Sequence, residues 1–218
     1  MKKMICALLA LAMMLCTFAM AQTIMPQGPE FTEAEGTYPA AFKREDLKDG
    51  ILNNAHLLTV DQYSLEDIEH VAVGDDLMIE GKTVAISALD KDEYGNLLVN
   101  GGEGEADGYT LAHYEPDPEF DLSKQYPDCW MSIEPNDYHT YTDHGAFNLE
   151  LAENVTFVDK WDLDIEAIEA GRKPLTATGI EDVTKAIMAS ENDSFYELNT
   201  EIVIEDGKIV NITRSFMP

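Results

Sequence analysis

The sequence is poor in basic residues. Its 218 residues include 14 lysines and arginines against 42 aspartates and glutamates, which gives a formal net charge of −28. A chain with this much negative charge repels nucleic-acid phosphates and anionic lipid surfaces. We therefore expect neither nucleic acid nor an anionic membrane as a partner. The hydrophobic content of 45% is nevertheless too high for an acidic disordered chain. We therefore expect a folded, acidic, soluble protein.

Long apolar runs are missing after the first 21 residues, so no later segment is predicted to span a bilayer. The N-terminus itself begins with Lys2 and Lys3, continues as an apolar run and ends in the small-residue pattern Ala19-Met20-Ala21. This pattern predicts a secretory signal peptide over residues 1–21, cleaved after Ala21. The mature protein would be secreted, free of the membrane, and two units more negative, at −30.

Cysteine is also scarce. Cleavage after Ala21 would remove Cys6 and Cys16 and leave Cys129 alone, so an internal disulfide is excluded and stability must come from a packed core. No sequence signature of a nucleophile surrounds Cys129, and we expect a buried structural cysteine. The motifs G-x-S-x-G, S-x-x-K and H-E-x-x-H do not occur.

The pattern of apolar and turn residues predicts an α+β fold. Proline and glycine mark residues 22–40 as a flexible leader, and residues 41–218 are predicted to form a single β-rich domain. Short strand signals between His56 and Val158 favour a mainly antiparallel sheet, either a partly closed barrel or a sandwich. Two late helices are expected to pack on this sheet.

The first late helix is predicted near residues 163–168. The second is predicted from Ile180, Val183 and Ile187, which share one helical face, with Thr178 as the N-cap.

A hairpin is predicted at residues 197–216. Asp206-Gly207 is a preferred type I′ turn, and a two-residue loop pairs Glu205 with Lys208. The same register pairs Ile204 with Ile209 and Val203 with Val210, so both faces of the hairpin are apolar near the turn. Something must therefore cover the second face, and the late helices are the nearest candidates.

The same register predicts an exposed position for Arg214. It places Arg214 opposite Asn199 and diagonal to Glu197 and Glu201. We expect a surface ion pair there, which adds little stability.

Aromatic residues cluster between residues 126 and 147. Aromatic faces there could stack on a sugar ring or an apolar peptide side chain, with carboxylates binding polar groups. The candidate ligand-binding residues are Tyr126, Trp130, Tyr138 and Tyr141. The alternative is a long loop packed by its own aromatics.

The same segment holds candidate metal ligands. Imidazole and carboxylate groups together suit zinc or a similar ion. The candidates are Asp137, His139, Asp143 and His144. The acidic surface leaves Ca²⁺ as a further alternative.

The sequence favours a non-enzymatic extracellular binding module that needs no cofactor. Its expected partner is an extracellular small molecule, glycan or peptide, with carbohydrate and peptide favoured. A secreted, metal-assisted hydrolase that uses His139, His144 and Asp143 is one alternative. A calcium-dependent component of the cell envelope or matrix is the other.

Overall fold

The computed structural model describes most of the chain. The described ranges are 21–27, 31–115, 128–134, 139–163, 167, 171–190, 193 and 195–215. Residues 1–20 of the predicted signal peptide and most of the predicted helix at 163–168 lie outside these ranges. Within them, no helix is long and apolar enough to cross a membrane.

The described residues are mostly β-structure, which confirms the predicted α+β class with β dominance. The strands, in chain order, are β1 Thr23–Ile24, β2 Gly36–Ala41, β3 Leu47–Lys48, β4 Ile51–Val60, β5 Gln62–Tyr63, β6 Asp76–Ile79, β7 Lys82–Ala85, β8 Leu89–Lys91, β9 Leu97–Val99, β10 Tyr109–Tyr114, β11 Cys129–Ile133, β12 Tyr141–Asp159, β13 Leu175–Thr178, β14 Thr200–Glu205 and β15 Lys208–Arg214. Among the described residues, the α-helices α1 Leu65–Glu69 and α2 Ile180–Ala189 and a 3-10 turn at Arg44–Asp46 accompany them.

The largest sheet has seven strands, in the order β13-β12-β15-β14-β2-β4-β3. The first half of β12 also pairs with β4, so that β12, β15, β14, β2 and β4 form a closed ring of hydrogen bonds. Only the β12–β15 pair of this ring is parallel. Strand β1 and all of β2 except Ala41 come from residues 22–40, the segment predicted to be a leader.

The predicted hairpin is present as β14 and β15. Asp206 and Gly207 have φ values of 50° and 74°, the left-handed pair that a type I′ turn requires. Near the turn the register is the predicted one, with Glu205 opposite Lys208. A bulge then shifts the pairing, so that Val203 faces Asn211 instead of Val210.

Arg214 is buried, and the prediction of a surface ion pair is wrong. The bulge places it opposite Thr200, and its side chain is 2% exposed. Its guanidinium binds Asp159 of β12 through both carboxylate oxygens, at 3.0 Å from Nε and 2.5 Å from Nη2. The rings of Trp161 and Phe195 lie 5.3 Å and 4.7 Å from the guanidinium carbon. The β12–β15 pairing, which joins distant parts of the chain, creates this pair.

Helix α2 packs its apolar face on the large sheet, as predicted. Val183 and Ile187 are fully buried and join the core of the seven-stranded sheet. The N-cap is Gly179, with a φ of 87°, and not Thr178. Thr178 instead pairs with Thr156 as the last residue of β13. Sheet pairing therefore takes precedence over the capping signal.

A second hydrophobic core lies among smaller sheets. Three strands pair in the order β1-β6-β7, and five pair in the order β5-β11-β10-β9-β8. Together with α1 they bury a separate set of apolar side chains, namely Ile24, Tyr63, Ile68, Leu77, Ile79, Ile86, Leu97, Val99 and Leu111.

The fully buried carboxylate of Asp61 connects the elements around the two cores. It accepts hydrogen bonds from the Glu80 N–H at 2.8 Å and from the hydroxyls of Thr140 and Thr142 at 2.9 Å and 2.5 Å. Burial raises the pKa of Asp61, although these hydrogen bonds oppose the shift. One side chain thus holds the β6–β7 turn and the start of β12 against the end of β4.

Candidate functional site

A groove of about 430 Å³ opens beside Trp130, at the surface of the second core. One of its walls is formed by α1 and the residues that follow, and the other by the face of the five-stranded sheet. Most of its lining is aliphatic or aromatic, with Glu69 and Lys91 as the charged members. We call it the Trp130 groove; it is lined by Leu65, Ile68, Glu69, Val71, Leu89, Lys91, Leu97 and Trp130.

The helical wall of the groove follows from a local capping signal. The Ser64 hydroxyl oxygen accepts the Asp67 N–H at 3.0 Å and so starts helix α1. Leu65 and Ile68, three residues apart, then lie on one face of the helix. Ile68 is buried in the second core, whereas Leu65 is 40% exposed at the groove. An exposed leucine beside a tryptophan leaves apolar surface available for a ligand.

The sheet wall holds Trp130 in a defined position. Trp130 pairs with Tyr63 on one side and with His113 on the other. The His113 and Trp130 rings lie 5.3 Å apart, and the His113 Nε2 is 2.8 Å from the Asp128 carboxylate. The indole is therefore a rigid aromatic surface, of the kind that binds ligands at a low entropic cost.

The structure does not bring Tyr141 to this groove. Tyr141 packs against Val60, Cys129 and Met131. Cys129 and Met131 flank Trp130 in β11, and because side chains alternate along a strand they point to the opposite face of the sheet. Tyr126 and Tyr138 lie outside the described residues. Trp130 and Tyr141 therefore lie on different faces of the sheet, and the ligand-binding roles of the four aromatics stay a prediction.

The candidate metal ligands that are described form different hydrogen bonds and packing contacts. His139 is half-buried and pairs with Ile133 in an isolated bridge, and burial lowers the pKa of its imidazole. Asp137 lies outside the described residues. Within the described ranges, no three His, Cys, Asp or Glu side chains are grouped so that they could hold a metal ion. The zinc hypothesis therefore stays a prediction.

Asp143 forms a hydrogen bond with a histidine that the sequence did not single out. Its Oδ2 lies 2.8 Å from the Nδ1 of His56, and its Oδ1 accepts the Gly145 N–H. Partial burial raises the pKa of Asp143, but these hydrogen bonds outweigh it, so that the pKa is lowered overall. Asp143 therefore stays ionised and can hold the His56 imidazole in one orientation.

His144 serves as a packing residue. Its ring stacks on Phe31, with centroids 4.1 Å apart and planes 4° from parallel, and its Nε2 is 2.9 Å from the Thr59 hydroxyl. Burial is the main cause of a lowered pKa, so the imidazole is neutral at pH 7. A neutral, stacked imidazole ties the chain near β2 to β4 and β12.

A small cavity of about 290 Å³ is lined by acidic side chains and is the place where the structure could offer oxygens to Ca²⁺. One of its five carboxylates is already engaged, since Glu80 pairs with Lys82 at 3.2 Å. Clustered carboxylates alone do not make a calcium site, which needs several oxygens at a common distance from one point. The carboxylates that line it are Glu80, Glu103, Glu105, Asp107 and Glu134.

The sequence singled out Trp130 but not the wall that faces it. Ser64-Leu65-Glu66-Asp67 carries a helix-start signal, with serine as N-cap and acidic residues in the first turn. That signal predicts a short helix but not the sheet against which it packs.

Comparisons with known proteins name no family for this chain. No family model, no curated protein and no solved structure matches it. A function must therefore be inferred from the residues of the chain itself.

Proposed function

We propose that the chain is an exported, acidic binding module that recognises an extracellular peptide. An apolar side chain of the peptide inserts into the Trp130 groove. The observation that carries this proposal is the groove itself, an apolar cleft with a rigid indole on one wall and the exposed Leu65 on the other. Its volume of about 430 Å³ lies within the range of ligand sites, roughly 300–1,000 Å³.

The lining favours a peptide over a carbohydrate. A sugar needs polar partners for its hydroxyls around the aromatic face, whereas five of the eight lining residues are aliphatic. An apolar side chain needs the surface that these residues offer, because burial of apolar area drives its binding. Tryptophan is also among the residue types enriched at binding hot spots.

The position of β8 suits an extended ligand. It is the last strand in the order β5-β11-β10-β9-β8 and contributes Leu89 and Lys91 to the groove. An extended peptide can pair with such an edge while every second side chain points toward one face of the sheet.

Charge sets a further requirement for the peptide. With 42 acidic and 14 basic residues, the surface of the chain on average favours cationic ligands, and among the described lining residues of the Trp130 groove the single basic residue, Lys91, is balanced by Glu69. We therefore propose a peptide in which a large apolar residue is flanked by lysine or arginine. Complementary charge of this kind speeds association more than it tightens binding.

Tryptophan fluorescence provides a direct test. The chain has two tryptophans, so a Trp161→Phe variant of residues 22–218 leaves Trp130 as the reporter. Peptides are selected from a random display library on the unmodified protein and titrated into this variant. We expect the selected peptides to share an apolar residue near basic ones and to shift the emission of Trp130. Adding Leu65→Asp should weaken their binding about tenfold or more, because it places a charge in an apolar cleft.

Met188→Asp is the matched control, because it also replaces an exposed apolar side chain on a helix with a carboxylate. Met188 is also an exposed apolar residue on a helix, 48% exposed on α2, but it does not line the groove. Binding that is unaffected by Leu65→Asp, or that falls equally in Met188→Asp, contradicts the proposed site. A glycan that binds in place of peptides and is lost in Leu65→Asp would overturn the peptide assignment. Binding of neither class would overturn the function.

A further inference from the structure

A second cavity, of about 500 Å³, lies where the ends of β12 and β15 meet helix α2. One side carries Trp161, just after β12, and the other carries Lys185 on α2. Arg172 and Lys173 line it from the segment before β13. We call it the Trp161 cavity. It shares no lining residue with the Trp130 groove.

Basic residues are concentrated in this cavity. Arg172, Lys173, Lys185 and Arg214 line it, four of the 14 basic residues of the chain. Arg214 is neutralised by Asp159, but the other three form no ion pair with any acidic side chain that the structure describes. Acidic residues outnumber basic ones threefold in the chain, so a cavity whose described lining holds four basic residues against three aspartates is locally enriched in cations.

Trp161 offers a fixed aromatic surface beside these cations. It is half-buried, and the Arg214 guanidinium lies 5.3 Å from its ring centroid. Arg214 is held in turn by its two hydrogen bonds to Asp159. The ion pair therefore holds the Arg214 guanidinium against the Trp161 ring, and a guanidinium over an aromatic ring is attracted to its face.

Two further carboxylates, Asp162 and Asp182, line the same cavity. The cavity therefore carries both signs of charge. Its carboxylates can accept hydrogen bonds from hydroxyl groups, and its cations attract acid groups. Charges on distant parts of the protein are screened beyond roughly 8 Å at physiological ionic strength. The local set of charges therefore governs recognition despite a net charge of −28.

We propose that the Trp161 cavity binds an acidic glycan, a sugar chain whose rings carry carboxylate or sulfate groups. The indole of Trp161 stacks on the apolar face of a sugar ring. Arg172, Lys173 and Lys185 bind its acid group. Asp162 and Asp182 accept hydrogen bonds from neighbouring hydroxyls. The inference does not depend on the Trp130 groove.

The test uses a Trp130→Phe variant of residues 22–218, in which Trp161 is the reporter. Two probes are titrated separately, a galacturonic acid trimer and a sulfated disaccharide derived from heparin. The fully methyl-esterified trimer is the neutral control. We expect at least one acidic probe to change the emission of Trp161, with affinity that falls as salt is raised, whereas the ester binds at least tenfold more weakly. The probe that binds identifies carboxylate or sulfate as the acid group.

Charge-removing variants locate the site. Lys185→Gln and Lys173→Gln should each weaken binding about tenfold, because a hydrogen bond to a charged group is lost. Lys208→Gln is the matched control, since it removes the same charge from the opposite end of β15 and should bind normally. Equal loss in Lys208→Gln, equal binding of the ester, or no binding of either acidic probe overturns the proposal.

Discussion

Two ion pairs between β12 and β15 provide a comparison in which burial is the main variable. Arg214 faces Asp159 at one end of the parallel pairing, and Lys208 faces Glu150 at the other. The side chains of Arg214 and Asp159 are 2% and 13% exposed, whereas those of Lys208 and Glu150 are 51% and 60% exposed. In both pairs the cation is on β15 and the acid on β12.

Burial should separate the two pairs by several kcal/mol. Arg214→Ala leaves Asp159 as an uncompensated buried charge, which costs on the order of 3–5 kcal/mol of unfolding free energy. Lys208→Ala breaks a solvated pair and should cost about 0–1 kcal/mol. For a chain of this size, 1 kcal/mol corresponds to roughly 2–4 °C in Tm. We therefore expect Tm to fall by about 6–20 °C in Arg214→Ala and by less than about 4 °C in Lys208→Ala.

Urea unfolding followed by circular dichroism measures both free energies, and a third variant separates charge from packing. Replacing the buried pair with Arg214→Met and Asp159→Leu together should cost less than Arg214→Ala alone, because no unpaired charge remains. Equal losses in Arg214→Ala and Lys208→Ala would refute the reasoning. So would a double variant that is less stable than Arg214→Ala.

Three further predictions concern other features of the fold. Burial raises the pKa of Asp61, so the folded state holds this proton more tightly than the unfolded state. Relative to Asp61→Asn, the wild-type protein should therefore lose stability as pH rises from about 4 to 7, and a constant difference in urea unfolding would contradict this. Gly207→Ala should lower the free energy of unfolding by about 1–2 kcal/mol, because alanine would have to adopt the left-handed backbone conformation of residue 207. Gly36→Ala should cost more, because its Cβ would overlap the Tyr38 ring, and equal losses in Tm would exclude that clash. Burial raises the pKa of Cys129 to about 11, so iodoacetamide at pH 8 should label it only after unfolding; rapid labelling of the folded protein would show an open thiol.

Local signals explain what could be predicted from the sequence. The β14–β15 hairpin follows from Asp206-Gly207 and the apolar residues beside it, because both strands and their turn lie within one short segment. The α2 face follows from Ile180, Val183 and Ile187 for the same reason.

Long-range pairing explains what could not be predicted. The position of Arg214 depends on one bulge in β14–β15 and on Asp159, which belongs to a strand far back in the chain. The residues of β2 read as a leader because their proline and glycine suggest mobility, but β2 pairs with β14 near the other end of the chain. No local pattern reports either contact.

The candidate sites also depend on contacts between distant segments, which no local sequence pattern predicts. Trp130 could be singled out as an aromatic near polar residues, but its groove exists because α1 packs across the sheet from it. The Trp161 cavity collects Arg172, Lys173 and Lys185 from segments that meet only in the folded chain. A count of charges along the sequence shows a shortage of cations but not where they gather.

Strand β12 can be fully paired only when strands from both sides of it in the sequence are present. Glu150, at its middle, is paired with Ile51 on one side and with Lys208 on the other. Of the five ring strands, β14 and β15 come last in the chain. Until residues 200–214 are available, β2 and the second half of β12 each lack a ring neighbour, and the ring has open edges. Closure of this ring therefore requires β14 and β15, so a chain that lacks residues 200–214 would leave β2 and the second half of β12 with unpaired edges.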